Sequence, residues 1–180
     1  MNWFMLKNGG RDVLPMAGYN RVLSILLWIA FSTGLAVSIF TVIEELCLAT
    51  ACRDTASFTF FGLNMGFLGI AYFSLILILL WQRKSVHLLD WALAAVVFSG
   101  AGAEFRLLWI QKYIIGSWCP LCVTICCSLF IAAILLIIEK IRVTGSAQGR
   151  SKILIGWVAF LVTMMATGLL ISIVGVKALT

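Results

Sequence analysis

The chain has 180 residues, of which 63% are hydrophobic and 11% charged, with 13 Lys and Arg against 7 Asp and Glu. A soluble domain carries about 25% charged residues, so this composition excludes an ordinary water-soluble fold and predicts an all-α integral membrane protein. The net charge of +6 does not argue for nucleic acid, because the basic residues are scattered between apolar runs, where they act as topology signals.

In chain order, residues 1–21 form a short polar lead with Lys7, Arg11 and Arg21. The next apolar run is too long for a signal-peptide core and shows no small-residue cleavage site, so it is expected to be an uncleaved span. Five apolar segments, near 22–43, 62–81, 88–110, 118–139 and 153–176, each reach the about 20 residues a bilayer requires. Nine basic residues flank these segments on one side, in the lead, in the second connection (Arg83, Lys84) and in the fourth (Lys140, Arg142, Arg150, Lys152). Three flank the other side, namely Arg53, Lys112 and Lys177. Basic loops stay in the cytoplasm, so the N-terminus is expected inside and the C-terminus outside, with loops 44–61 and 111–117 exterior.

The expected organisation is a four-helix transmembrane bundle over 22–139, a cytoplasmic loop over 140–152, and a peripheral fifth transmembrane helix with the C-terminus over 153–180. Gly145-Ser146-Ala147-Gln148-Gly149 reads as a flexible part of that loop. Gly62, Gly66 and Gly69, and the run Ser99, Gly100, Ala101, Gly102, Ala103, are read as close helix contacts, since small side chains let membrane helices approach. Trp81, Trp91, Trp109, Tyr113 and Trp118 lie near span ends, as interfacial aromatics do.

Six cysteines are many for a membrane protein, and disulfides persist only in oxidising compartments. Cys47 and Cys52 fall in the first exterior loop. Cys119 and Cys122 form a Cys-Pro-Leu-Cys motif at the exterior head of the fourth span. A helix N-terminus stabilises a thiolate through its unpaired N–H groups and partial positive charge. Pro120 suits the first helical position, and Ser117 can cap the turn. A redox pair, a structural disulfide, a zinc half-site and incidental core cysteines all use this spacing. A pair on a movable loop beside a pair on a fixed helix end is what a thiol relay needs, each transfer being thiolate attack on a disulfide. A Cys₄ zinc site fits the oxidising side poorly, and no metal is expected.

No glycine-rich nucleotide fingerprint, P-loop or haem-attachment motif is present, and the single histidine, His87, lies in a cytoplasmic connection. A membrane quinone, ubiquinone or menaquinone, beside Cys122 is the simplest remaining electron acceptor. Cys126 and Cys127 lie within the fourth span, where cysteine acts as a small hydrophobe. Cys126 shares a helical face with Cys119 and Cys122 and is a candidate lining residue. Glu104 and Arg106 are charged positions near the exterior end of the third span. Such residues are functional candidates, with snorkelling as the structural reading of Arg106. Glu44 and Glu45 read as solvated acids at the membrane edge.

Trp109-Ile110-Gln111, then Ile114-Ile115, then Trp118-Cys119-Pro120-Leu121-Cys122, resembles the approach to the CxxC in the vitamin K epoxide reductase (VKOR) family. The order of a loop cysteine pair followed by a CxxC on the fourth helix is similar too, over roughly residues 22–140. The DsbB family resembles the chain in chemistry but not in layout. The fifth span resembles bacterial members, some of which carry a fused thioredoxin-like domain. The resemblance implies that Cys47 exchanges with a separate thioredoxin-like (DsbA-like) periplasmic thiol oxidase, Cys52 shuttles to Cys119, and Cys122 reduces the quinone. It also implies that Asn64 hydrogen-bonds the quinone and that a hydroxyl after the loop pair assists, with Ser57 the candidate and Thr55 the alternative. Cys126 stands where vertebrate members carry an aromatic residue, which counts against vitamin K epoxide as substrate.

The expectation is a quinone-dependent thiol–disulfide oxidoreductase of the bacterial inner membrane that serves disulfide bond formation, its active cysteines periplasmic. The alternatives are a thiol-driven quinone or vitamin K epoxide reductase, and a non-enzymatic membrane scaffold with structural disulfides.

Overall fold

A computed structural model describes residues 21–47, 58–60, 62–83, 88–116, 118–144 and 150–178, and within these the side chains of all but 45–47, 58, 143–144, 150–153 and 177–178. The helices are α1 (Arg21–Cys47), α2 (Met65–Gln82), α3 (Leu88–Ile110), α4 (Pro120–Thr144) and α5 (Arg150–Gly175). A π-helical turn, Gln111–Ile115, extends α3. Among the described residues, five stretches are long and apolar enough to cross a membrane: Arg21–Glu44, Met65–Gln82, Leu88–Ile115, Pro120–Arg142 and Leu154–Gly175. In lipid a helix satisfies its own backbone groups, so apolar runs of this length fold as helices whichever way their side chains face. Ile25, Phe40, Ile78, Ile155, Val162 and Val174 accordingly stand exposed on the outer surface.

Packing follows small residues. Helix α1 lies against α2 and α4, while α3 lies against α2, α4 and α5. A Cβ on Gly66 would come within 2.6 Å of Val42 Cγ2, and one on Gly69 within 2.8 Å of Ser38 Oγ. A Cβ on Gly34 would strike the Phe73 ring. Across the α3–α5 contact, a Cβ on Gly102 would strike the Met165 carbonyl and one on Gly168 the Ser99 carbonyl. Close backbone approach of this kind substitutes for the hydrophobic drive that lipid removes. Leu27, Phe31, Phe73, Ile76, Leu80, Leu93, Val97 and Leu129 form the fully buried centre. The Tyr72 hydroxyl donates to the Val96 carbonyl at 2.9 Å and joins α2 to α3.

Gly62 corrects one sequence expectation. It is not a helix-contact residue, because nothing lies within 4 Å of its Cβ direction and its φ is +81°. It turns the chain between β1 (Phe58–Phe60) and β2 (Leu63–Asn64). These strands pair antiparallel, and β1 also pairs antiparallel with β3 (Val176–Ala178), Phe60 opposite Val176 and Thr59 opposite Lys177. The segment after α5 is thus stitched to the segment that leads into α2. The sequence reading did not include this sheet. Its strands are two or three residues long, too short for an alternating pattern to stand out.

Candidate functional site

Cys119 is 2% exposed, and its carbonyl accepts from the Val123 N–H at 3.1 Å. That bond makes Cys119 the residue that flanks the start of α4, with Pro120 in the first helical position, where a missing N–H is harmless. Cys122 falls in the first turn, near the positive end of the helix. Cys119 is disulfide-bonded, whereas Cys122, Cys126 and Cys127 are free thiols. The two cysteines of the CxxC are therefore not bonded to each other. Cys122 is half-buried, Cys126 is buried at 3% exposure and Cys127 is exposed. Cys126 lies one turn beyond Cys122, on the inward side.

Two groups, Glu104 on α3 and Gln111 on its π-helical extension, lie near these sulfurs. Glu104, half-buried on α3, lies within electrostatic reach of Cys122, Cys126 and the Tyr72 hydroxyl. Gln111 is 2% exposed, and its side chain lies near the Cys122 thiol. The π-helical turn that begins at Gln111 closes when the Gly116 N–H donates to the Gln111 carbonyl at 2.9 Å. Gly116 sits at φ +72°, a left-handed conformation that glycine adopts without strain. A wider turn re-aims the side chains around it. Here Gln111 is buried while Lys112, Tyr113 and Ile114 are exposed.

The other positions named from sequence are placed as follows. Asn64 is half-buried and caps α2, its Oδ1 accepting from the Gly66 N–H at 2.8 Å. Arg106 does not simply extend toward water. Its guanidinium carbon lies 4.4 Å over the Trp109 ring, and its Nε is buried without a hydrogen-bond partner. Cys47 ends α1, with its side chain outside the described residues, as are Cys52, Thr55, Ser57 and Ser117. Among the described residues, no three metal-ligating side chains gather at one point.

Gln111 was not singled out as a site residue from sequence. For Gln111 the signal was present: an uncharged polar residue in an apolar run, eight positions before Cys119. What was not legible is the wider turn that buries it. No protein-family model matches the chain, and none of the curated proteins compared with it matches.

Proposed function

We propose that this chain is a quinone-dependent thiol–disulfide oxidoreductase that reoxidises a separate thioredoxin-like periplasmic protein. One observation carries the reading: Cys119 is disulfide-bonded while Cys122, three residues on and in the first turn of α4, is a free thiol. A resting CxxC disulfide would join the two to each other. A bond from Cys119 to another sulfur, with Cys122 free, is the pattern that the mixed-disulfide state of a relay would have.

In this reading the partner's dithiol reduces the Cys47–Cys52 disulfide. Cys52 thiolate then attacks Cys119 in the Cys119–Cys122 disulfide, giving a Cys52–Cys119 bond and a Cys122 thiolate. Attack by Cys47 on Cys52 restores the loop disulfide and leaves the helix pair reduced. The quinone, when bound, accepts the two electrons and two protons of that pair. Cys122, Cys126, Glu104 and Gln111 supply a mixed apolar and polar surface that suits such a ring. Glu104 stands beside the sulfurs. Asn64 holds the start of α2 at the same end, with Ser57 placed by the resemblance alone. Helices α1 to α4 form the catalytic bundle and α5 stands outside it on α3, in a bacterial inner membrane with the cysteine end periplasmic.

Replacing Cys122 with Ser tests the relay. The variant is expected to accumulate a Cys52–Cys119 bridge, visible as a mobility shift on non-reducing gels and abolished by a second substitution, Cys52→Ser. In the wild-type protein the alkylation pattern should respond to added ubiquinone. No bridge, and thiols indifferent to quinone, would identify a scaffold with a static disulfide. Turnover of vitamin K epoxide by membranes would identify a reductase of opposite purpose.

A further inference from the structure

The last turns of α3 and its π-helical extension carry a continuous row of cations and rings. The Arg106 guanidinium carbon lies 4.4 Å from the centre of the Trp109 ring, over its face. Trp109 pairs with Tyr113 at 5.5 Å between ring centroids, and the Lys112 Nζ lies 5.2 Å from the Tyr113 centroid. The row faces outward, since Trp109, Lys112 and Tyr113 are exposed, and exposed Phe105 continues it toward the middle of the span. Arg83, at the other end of the bundle, has its charge answered by Glu139 and Asp90. Among the described residues, no carboxylate answers Arg106 or Lys112 in that way. Two positive charges and two aromatic rings thus form one lipid-facing surface that lacks an anion.

Depth decides what kind of anion fits. At about 1.5 Å per residue, the 28-residue span Leu88–Ile115 is about 42 Å long, against about 30 Å of hydrocarbon. Its end turns therefore stand among lipid headgroups, with Lys112 and Tyr113 at that level. Arg106 starts about 13 Å further in and reaches back over Trp109 toward the headgroups. A soluble protein docked on the membrane does not reach that depth, whereas a phospholipid spans it. We infer that this row seats one anionic phospholipid, its headgroup drawn by Arg106 and Lys112 and its acyl chains lying along Phe105 and Trp109. A guanidinium over a ring engages its face and leaves edge donors for phosphate oxygens. Phosphatidylcholine carries the same phosphate beside a quaternary ammonium, which the two cations repel. The inference does not depend on the quinone reading.

The test is native mass spectrometry of the full-length protein, purified and delipidated in detergent, titrated with dioleoyl phosphatidylglycerol or dioleoyl phosphatidylcholine. The wild-type protein should take up one phosphatidylglycerol about tenfold more tightly than phosphatidylcholine. Lys112→Gln, on an exposed turn where the fold does not depend on it, should weaken that first site about fivefold. Arg106→Gln/Lys112→Gln should bring phosphatidylglycerol within about twofold of phosphatidylcholine. Lys140→Gln removes the cation over Trp91, near the opposite end of α3, and should leave the first site unchanged. Equal uptake of the two lipids by wild type would overturn the inference. So would a loss in Lys140→Gln as large as in Lys112→Gln, which would show an effect of total charge alone. An oligoglutamate peptide that binds wild type but not the double variant, with lipid uptake the same in both, would overturn it in favour of an acidic protein partner.

Discussion

Arg83 and Gln111 are both deeply buried polar side chains, at 7% and 2% exposure, one at each end of the helix bundle. Arg83 closes α2, and its guanidinium is ion-paired with Glu139 of α4 and, at 3.9 Å, with Asp90 of α3. Three helices meet on one cation whose charge is answered from two directions. Gln111 extends α3 at the cysteine end and keeps an acceptor that no described residue answers. Arg106 adds a second orphan atom at that end, and Cys122 a free thiol. A buried polar group that is fully partnered serves the fold; one left open has no such account.

The largest effect expected from this contrast is on stability at the Arg83 end. Arg83→Met leaves Glu139 unpaired and should cost about 3 kcal/mol, measured by unfolding in mixed micelles. The double variant Arg83→Met/Glu139→Leu should recover most of that loss, because replacing both charges removes the orphan. A single variant as stable as wild type would erase the distinction between the two ends. Next in size is Gly168→Ala, whose Cβ meets the Ser99 carbonyl and should cost about 1–3 kcal/mol through forced separation of α3 and α5. Its Cys122 alkylation should stay unchanged, since the strain lies outside the sulfur site.

Asn64 sharpens the contrast, because one side chain is a candidate for both roles. Asn64→Ala removes the cap on Gly66 and should cost about 1 kcal/mol. Asn64→Asp keeps an accepting oxygen and should keep that stability. A several-fold rise in KM for ubiquinone-1 in Asn64→Asp would assign its amide to the ligand, and an unchanged KM would leave it a cap alone. The smallest effect is expected from ending the chain after Gly175, which removes β3 from its pairing with β1. Stability should fall by less than about 1 kcal/mol, while hydrogen exchange at the Thr59 and Phe60 amides should accelerate.

Much of the scaffold was readable in advance. The five apolar runs appear as helices within a few residues of the expected limits. Pro120 starts α4 as its lack of an N–H predicts, and Trp81, Trp109, Tyr113 and Trp118 stand exposed at span ends. At the cysteine end the sequence reading named Cys119, Cys122, Cys126 and Glu104, but not Gln111, whose burial depends on the π-helical turn. Arg83 entered the sequence reading only as a topology charge, and nothing local announces that Glu139, 56 positions away, lies against it. Gly62 looked like a packing residue because spacing cannot distinguish a helix contact from a turn that needs positive φ.

Hydropathy and cysteine spacing are local properties, and they determined the five long apolar helices among the described residues and the position of the CxxC at a helix head, because a long apolar run in lipid must satisfy its backbone within itself. Which sulfur of that motif is bonded, which polar atoms are answered, and which strand closes over the chain's end were decided in three dimensions. Those outcomes depend on side chains brought together from α2, α3 and α4, and on one wider turn at Gln111 that no residue pattern encodes by itself.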